Sequence, residues 1–143
     1  MAYVRAILDR DFRLFEPYLM AVVIDALGKN RQGMWKLVTM YISDNDIFRV
    51  LLNNNSSQAY LEYIHTLPSK AGVVFRYSLY IGDLERAKEM DVSLIGTETL
   101  RLSLKDAVDC LQFDIVEYLV NNFTFDENSL KRVFISVAFM KND

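Results

Sequence analysis

Between Val74 and Asp143 one helical phrase occurs three times at a fixed step, and that spacing restricts what the chain can fold into. "SLYIGDLERAKEM" over 78–90 aligns with "AVDCLQFDIVEYL" over 107–119 and with "SVAFMKND" over 136–143. The small residue that opens each phrase is Ser78, Ala107 and Ser136, a step of 29 and again of 29. The acidic residue seven places on is Glu85, Asp114 and Asp143. A unit that recurs at about 20–50 residues is the mark of a repeat architecture. One helix pair of this size cannot bury its own apolar face, so each unit must stack on the next. Such stacks mostly bind other macromolecules and rarely do chemistry.

Composition agrees with a folded helical chain. The 143 residues are 52% hydrophobic and 13% aromatic, with five Gly and two Pro. That argues against disorder and for a single helical-repeat domain over 1–143, divergent over 1–68 and regular over 69–143. The net charge of −3, with no Lys/Arg cluster, is wrong for a phosphate-backbone binder, so nucleic acid is not an expected partner. The start "MAYVRAILDRDF" is interrupted by Arg5, Asp9 and Arg10 before any signal-like apolar core builds. The longest uncharged apolar run, Tyr18 to Ile24, is far short of the roughly 20 residues that span a bilayer. Membrane contact is therefore not expected. A lone cysteine, Cys110, fits a reducing compartment, and an intracellular, cytoplasmic protein is the expectation. The sequons at Asn54, Asn55 and Asn122 then read as chance matches.

The C-terminal half has the clearest helical grammar. Leu100, Leu104, Val108 and Leu111 share one helical face with Ala107. The chain turns at Leu111–Phe113, and Asp114 with Glu117 forms an acidic capping-box pattern before Ile115, Val116, Leu119 and Val120. Asn121-Asn122 closes that helix, and another is predicted from near Asn128 to about Met140. One unit earlier, Pro68 suits the turn ahead of a helix over 70–81, which Gly82-Asp83 breaks and caps. A ten-residue loop is expected from Asp91 to Leu100. Nearer the N-terminus, helices are expected at 17–28, 32–42, 46–53 and 57–66, with Pro17 and Gly28 bounding the first and Ser43 with Asp46 capping the third. Two registers compete there. One takes 50–64 as the unit before Ser78, and the other takes 39–52 with 6–19 ahead of it. The second puts Pro17 inside a helix at a cost of roughly 3 kcal/mol, so the first is preferred.

These phrases resemble ankyrin repeats. Ala107-Val108, Asp114-Ile115-Val116 and Leu119-Val120 follow the family pattern of paired small apolar residues, an acidic position, Ile-Val and paired apolar residues. Ser78, Gly82-Asp83-Leu84-Glu85 and Ala87 follow it in part. The 29-residue step is similar to the short, divergent ankyrin-like repeats of large DNA viruses and some intracellular bacteria. The Thr-Pro-Leu-His opening and the Gly-Ala-Asp hairpin loops are absent, so the resemblance implies stacked helix pairs without the family's finger loops. It implies an all-α solenoid that acts as a non-enzymatic protein–protein interaction module, in a viral or intracellular-pathogen protein that engages its host. A small structural component of a larger assembly, such as a virus particle, is the alternative.

No constellation of residues argues for catalysis or a cofactor. His65 and Cys110 are the sole histidine and cysteine, and no third group surrounds them to make a nucleophilic pair. Cys110 is expected as a buried thiol on an apolar face, and His65 as a complement to a helix C-terminus. Gly28 to Gly33 has the glycine spacing of a phosphate loop, but Met34-Trp35 follows where Lys-Ser/Thr is required, so an interhelical loop is expected. Asp44-Asn45-Asp46 lacks the Gly and distal Glu of a calcium loop, and a metal site is not expected. Tyr60, Tyr63, Tyr77, Tyr80, Tyr118, Phe123 and Phe125 fall near helix ends, where most should fill seams between helices.

The candidate partner-binding residues are Trp35, Phe134, Val137, Phe139 and Met140. Trp35 is a candidate aromatic anchor. The other four belong to a final helix with too many apolar residues for one packed face. By the 29-residue register Asp143 would cap a further helix, so the third unit is expected to present its first helix uncovered. The expected occupant is a protein partner, or a second copy of the chain through self-association.

Overall fold

The computed structural model describes residues 32–53 and 58–141, together with Tyr18, Ala21 and Asp25, which are helical. Those residues form eight α-helices and two short 3-10 turns, with no strand among them. The fold is all-α. The chain divides into two compact units, residues 1–73 and 74–143.

In the first unit, α1 spans Gln32–Thr39, α2 Asp44–Asn53 and α3 Gln58–His65, followed by a 3-10 turn at Pro68–Lys70 and the start of α4, Ala71–Tyr80. The helix expected over 17–28, with its boundaries at Pro17 and Gly28, lies outside the described residues except for the three named above. The Ser43 cap is formed: its Oγ accepts the Asp46 N–H at 3.1 Å, which satisfies one of the orphan donors of α2. Asp44 and Asp46 occupy the first turn, where carboxylates favour the helix dipole. Lys70 Nζ reaches Asp44 Oδ1 at 3.0 Å. Gln32 and Gly33 are helical, against the loop expected over 28–33, the rest of which lies outside the described residues. Buried Trp35, Ile47, Phe48, Leu51, Tyr60 and Ile64 make the core of this unit.

The second unit holds the rest of α4, then α5 (Leu84–Glu89), a 3-10 turn at Val92–Leu94, α6 (Thr97–Asp109), α7 (Phe113–Asn122) and α8 (Glu127–Lys141). The ten-residue loop shrinks to Asp91–Gly96, because Asp91 folds Val92–Leu94 into a turn by accepting the Ser93 N–H and α6 begins at Thr97.

Here the 29-residue step becomes geometry. At the end of α4 the Asp83 N–H bonds the Ser78 carbonyl at 2.8 Å and the Gly82 N–H bonds Leu79 at 3.1 Å. At the end of α6 the Gln112 N–H bonds the Ala107 carbonyl at 2.9 Å and the Leu111 N–H bonds Val108 at 3.1 Å. Both are Schellman endings, with Gly82 at φ 82° and Leu111 at φ 57°. The buried positions agree as well: Phe75 with Leu104, Ser78 with Ala107, Leu79 with Val108, Ala87 with Val116, and Met90 with Leu119. Leu104, Val108, Val116 and Leu119 are buried, as their spacing requires. Ser78 satisfies its buried hydroxyl on the Val74 carbonyl at 2.7 Å, and Ser103 does the same on Thr99 at 2.8 Å.

Polar contacts join α4 to the following pair. The Arg76 guanidinium grips Asp106 through two nitrogens, at 2.7 and 3.3 Å, and Gln112 Nε2 donates to the Tyr80 carbonyl at 3.1 Å, one of the orphan acceptors of α4. Asp114 does not cap α7 as its sequence pattern suggests. The Gln112 carbonyl already accepts from Ile115 and Val116, so the helix starts two residues earlier, at Phe113, and Asp114 lies inside its first turn.

Leu111 holds the same left-handed backbone with an exposed side chain. At the matching Gly82, an added Cβ would meet nothing within 4 Å, so backbone conformation alone favours glycine. The left-handed region costs a non-glycine residue roughly 1–2 kcal/mol, and glycine gives back part of that through unfolded-chain entropy. Leu111→Gly is therefore expected to raise stability by up to about 1 kcal/mol in a urea titration, whereas Leu111→Ala retains the strain.

Candidate docking surface

The surface that stands out is α8, and it is built from its N-terminus. Asp126 caps the helix by accepting the Ser129 N–H at 2.6 Å. Hydrogen bonds from Ser129 hold its carboxyl below the usual aspartate range, so the cap is charged at neutral pH. Glu127 follows and reaches Lys131 at 3.3 Å along the solvent side. The helix then carries Val133, Phe134, Ile135, Val137, Ala138 and Phe139.

Phe134 is 74% and Phe139 75% exposed, and Leu130 and Ile135 are exposed too. Val133, Ser136 and Val137 are half-buried. The 29-residue register shows what has changed. Val133 and Val137 correspond to Leu104 and Val108, which are buried in α6. Arg101, Lys105 and Asp109 form the exposed charged row of α6, and their counterparts on α8 are Leu130, Phe134 and Ala138. A helix face meant for water would keep that row charged. This one has lost every charge in it.

Grooves flank α8 on both sides. Between α6 and α8 lies a groove of about 310 Å³, lined by Leu104, Val108 and Val133 and rimmed by Arg101, Lys105 and Arg132. Its charges are partly engaged: Arg101 pairs with Glu98 through two nitrogens, at 2.9 and 2.5 Å, and Lys105 lies 3.8 Å from Asp109. Between α7 and α8 lies a wider groove of about 620 Å³. Phe113, Val116 and Val120 form one wall, and Leu130, Phe134 and Val137 the other. Glu117 is the one charged side chain among the described residues that line it.

Of the residues singled out from sequence, Phe134 and Phe139 are exposed on α8, and Val137 lines the wider groove beside Phe134. Met140 belongs to α8 by backbone, and its side chain lies outside the described residues, as does Asp143. Trp35 is not a surface anchor. It is 2% exposed, with its ring edge-on to Tyr60 at 5.9 Å between centroids, because α1 turns it into the core of the first unit. Cys110 is corrected in the opposite sense. It is the C-cap of α6, one residue past the last apolar turn, and its thiol is exposed. There it lies beside Tyr80, whose hydroxyl pKa it pushes up. His65 ends α3 in its last turn.

The spacing arguments missed the part played by Leu130, Phe113, Val120 and Glu117. Carrying the 29-residue alignment through the charged row of α6 would have exposed the first of these. Among the described residues no three His, Cys, Asp or Glu side chains converge as metal ligands, and no helix is long and apolar enough to cross a membrane. The chain matches no protein-family model, no curated protein and no solved structure.

Proposed function

We propose that the second unit is a short α-solenoid of ankyrin-like helix pairs, and that the chain is a non-enzymatic protein–protein interaction module whose outward α8 face docks a partner. The single observation that carries this reading is the replacement of Arg101, Lys105 and Asp109 by Leu130, Phe134 and Ala138 one repeat later. A contiguous apolar strip in place of a charged row marks a contact surface, and exposed aromatics are the residues that dominate binding energy there. The resemblance to repeats of large DNA viruses and intracellular bacteria extends the proposal to a host-cell protein as the partner. Binding through shape and apolar burial requires no cofactor and no catalytic group.

Phe139→Glu is the test. A charge at a side chain 75% exposed should change the circular-dichroism melt by no more than about 0.5 kcal/mol, yet it should abolish capture of the partner from the native host. Unfolding of the variant would make α8 a core helix and overturn the reading. Unchanged capture would place the interface elsewhere. If the chain instead forms stoichiometric homo-oligomers that Phe139→Glu dissolves, the same face serves an assembly.

A further inference from the structure

We infer that the groove between α7 and α8 receives an amphipathic helix from a partner protein, laid in the register that α7 takes on α5 and α6, with a basic side chain set against Glu117. The inference rests on the reading of the α8 face as a docking surface and names what docks there.

The preceding repeat supplies the template. There α7 turns Ile115, Val116 and Leu119 inward, all buried. It meets α5 where the Lys88 ammonium lies over the Tyr118 ring, 5.5 Å from its centroid. Of the residues that line the groove, Val116, Val133 and Val137 correspond to Ala87, Leu104 and Val108, all three buried, whereas Leu130 and Phe134 correspond to the exposed Arg101 and Lys105. The two valines of α8 remain half-exposed. The Val116, Val133 and Val137 floor of the α7–α8 groove is therefore the next copy of a surface that is buried one step earlier, with Leu130 and Phe134 adding an apolar rim where the earlier copy is charged. A helix laid in a groove reads its partner through an apolar stripe. For α7 that stripe is Ile115, Val116 and Leu119, an i, i+1, i+4 spacing.

Charge selects between occupants. By the same step, Lys88 becomes Glu117. The residue of an incoming helix that corresponds to Tyr118 therefore faces a carboxylate, which favours Lys or Arg there. A second copy of the chain presenting this same groove would bring only another Glu117 to it, because a two-fold contact pairs a patch with itself. Glu117 is the one charged side chain among the described lining residues, so that pairing leaves it without a basic partner. A basic amphipathic helix complements the groove, and a second copy presenting the same groove does not.

The probe is the seated helix itself: a fluorescein-labelled peptide of residues 112–125, made as Tyr118→Lys and as Tyr118→Glu. Both are titrated into the full chain at low salt and followed by anisotropy. The Tyr118→Lys peptide should bind saturably, and about fivefold more tightly than the Tyr118→Glu peptide. Glu117→Lys in the chain should reverse that order, and Phe134→Glu should weaken both peptides by about tenfold or more. Glu117 and Phe134 are exposed, so an unchanged melt certifies each variant as folded. Absence of saturable binding, or an order that survives Glu117→Lys, overturns the inference. So does dimerisation of the chain that Phe134→Glu abolishes, which would assign the groove to a second copy. Phe139 is not part of this groove. If the peptides fail while Phe139→Glu still abolishes partner capture, the helix inference falls and the docking surface stands. If Phe139→Glu also leaves capture unchanged, both fall.

Discussion

Truncating Leu119 to alanine should lower stability by about 2–5 kcal/mol, the range for large-to-small changes in a packed core. Leu119 is 0% exposed and lies on the inward face of α7 with Ile115 and Val116. Its carbonyl accepts the Phe123 N–H at 3.0 Å, so the backbone around it is held and cannot easily collapse into the space a lost isobutyl leaves. The loss is a large share of what holds a domain together, since single domains are stable by only about 5–15 kcal/mol. Val120 is the internal control. It is the next residue on the same helix and is exposed, so Val120→Ala should cost less than about 1 kcal/mol. Urea titrations of parent, Leu119→Ala and Val120→Ala, compared at equal slope, separate the two. A Leu119→Ala midpoint equal to that of the parent would mean that α7 does not bury this face.

The same residues show why part of the fold could be read from sequence. Burial of Leu104, Val108, Val116 and Leu119 follows from helical period alone, since an amphipathic helix has only one face to bury. The repeated turn was legible at Gly82, where the residue type announces a left-handed backbone. It was harder to see at Leu111, where only the register points to the same conformation. Three errors share one cause: a side chain's fate at a helix end depends on a shift of one or two residues. Cys110 passes from buried to exposed by falling just after the last turn of α6. Asp114 moves from cap to first turn because Gln112 starts the hydrogen-bond ladder before it. Trp35 looked like a loop anchor because Gly33 reads as a breaker, yet α1 runs through that glycine and carries the indole inward. The candidate site was half legible. An excess of apolar residues marks α8 in the sequence, while the groove beside it depends on Glu117 and Phe113 of another helix, which no single-helix pattern brings together.

Raising the pH should weaken the chain through Tyr60, by about 2–3 kcal/mol once titration is complete. This tyrosine is 0% exposed in the core of the first unit, its ring against Trp35 and its hydroxyl 2.6 Å from Thr39 Oγ1. Burial raises its pKa from the ordinary tyrosine value of 10.0 to about 12, and the Thr39 hydrogen bond offsets only part of that rise. The folded state thus keeps a proton that the unfolded chain gives up. Between about pH 10 and 12 the folded chain binds more protons, so stability must fall as pH rises. Below the unfolded pKa the contribution is fully present. About two pKa units, at roughly 1.4 kcal/mol each, set the size of the loss at about 2–3 kcal/mol. Tyr63 and Tyr118 are also pushed up by burial, so the total pH profile cannot be assigned to one residue and the measurement must be a difference. Tyr60→Phe keeps the ring in the core and removes the titrating group, at a cost near 1 kcal/mol at neutral pH for the lost bond to Thr39. Urea midpoints of parent and variant should therefore begin apart at pH 8, with the parent the more stable. They should converge above pH 10 and cross as the parent loses its proton. Curves that stay parallel from pH 8 to 12 would mean that Tyr60 ionises as readily in the folded chain as in the unfolded one.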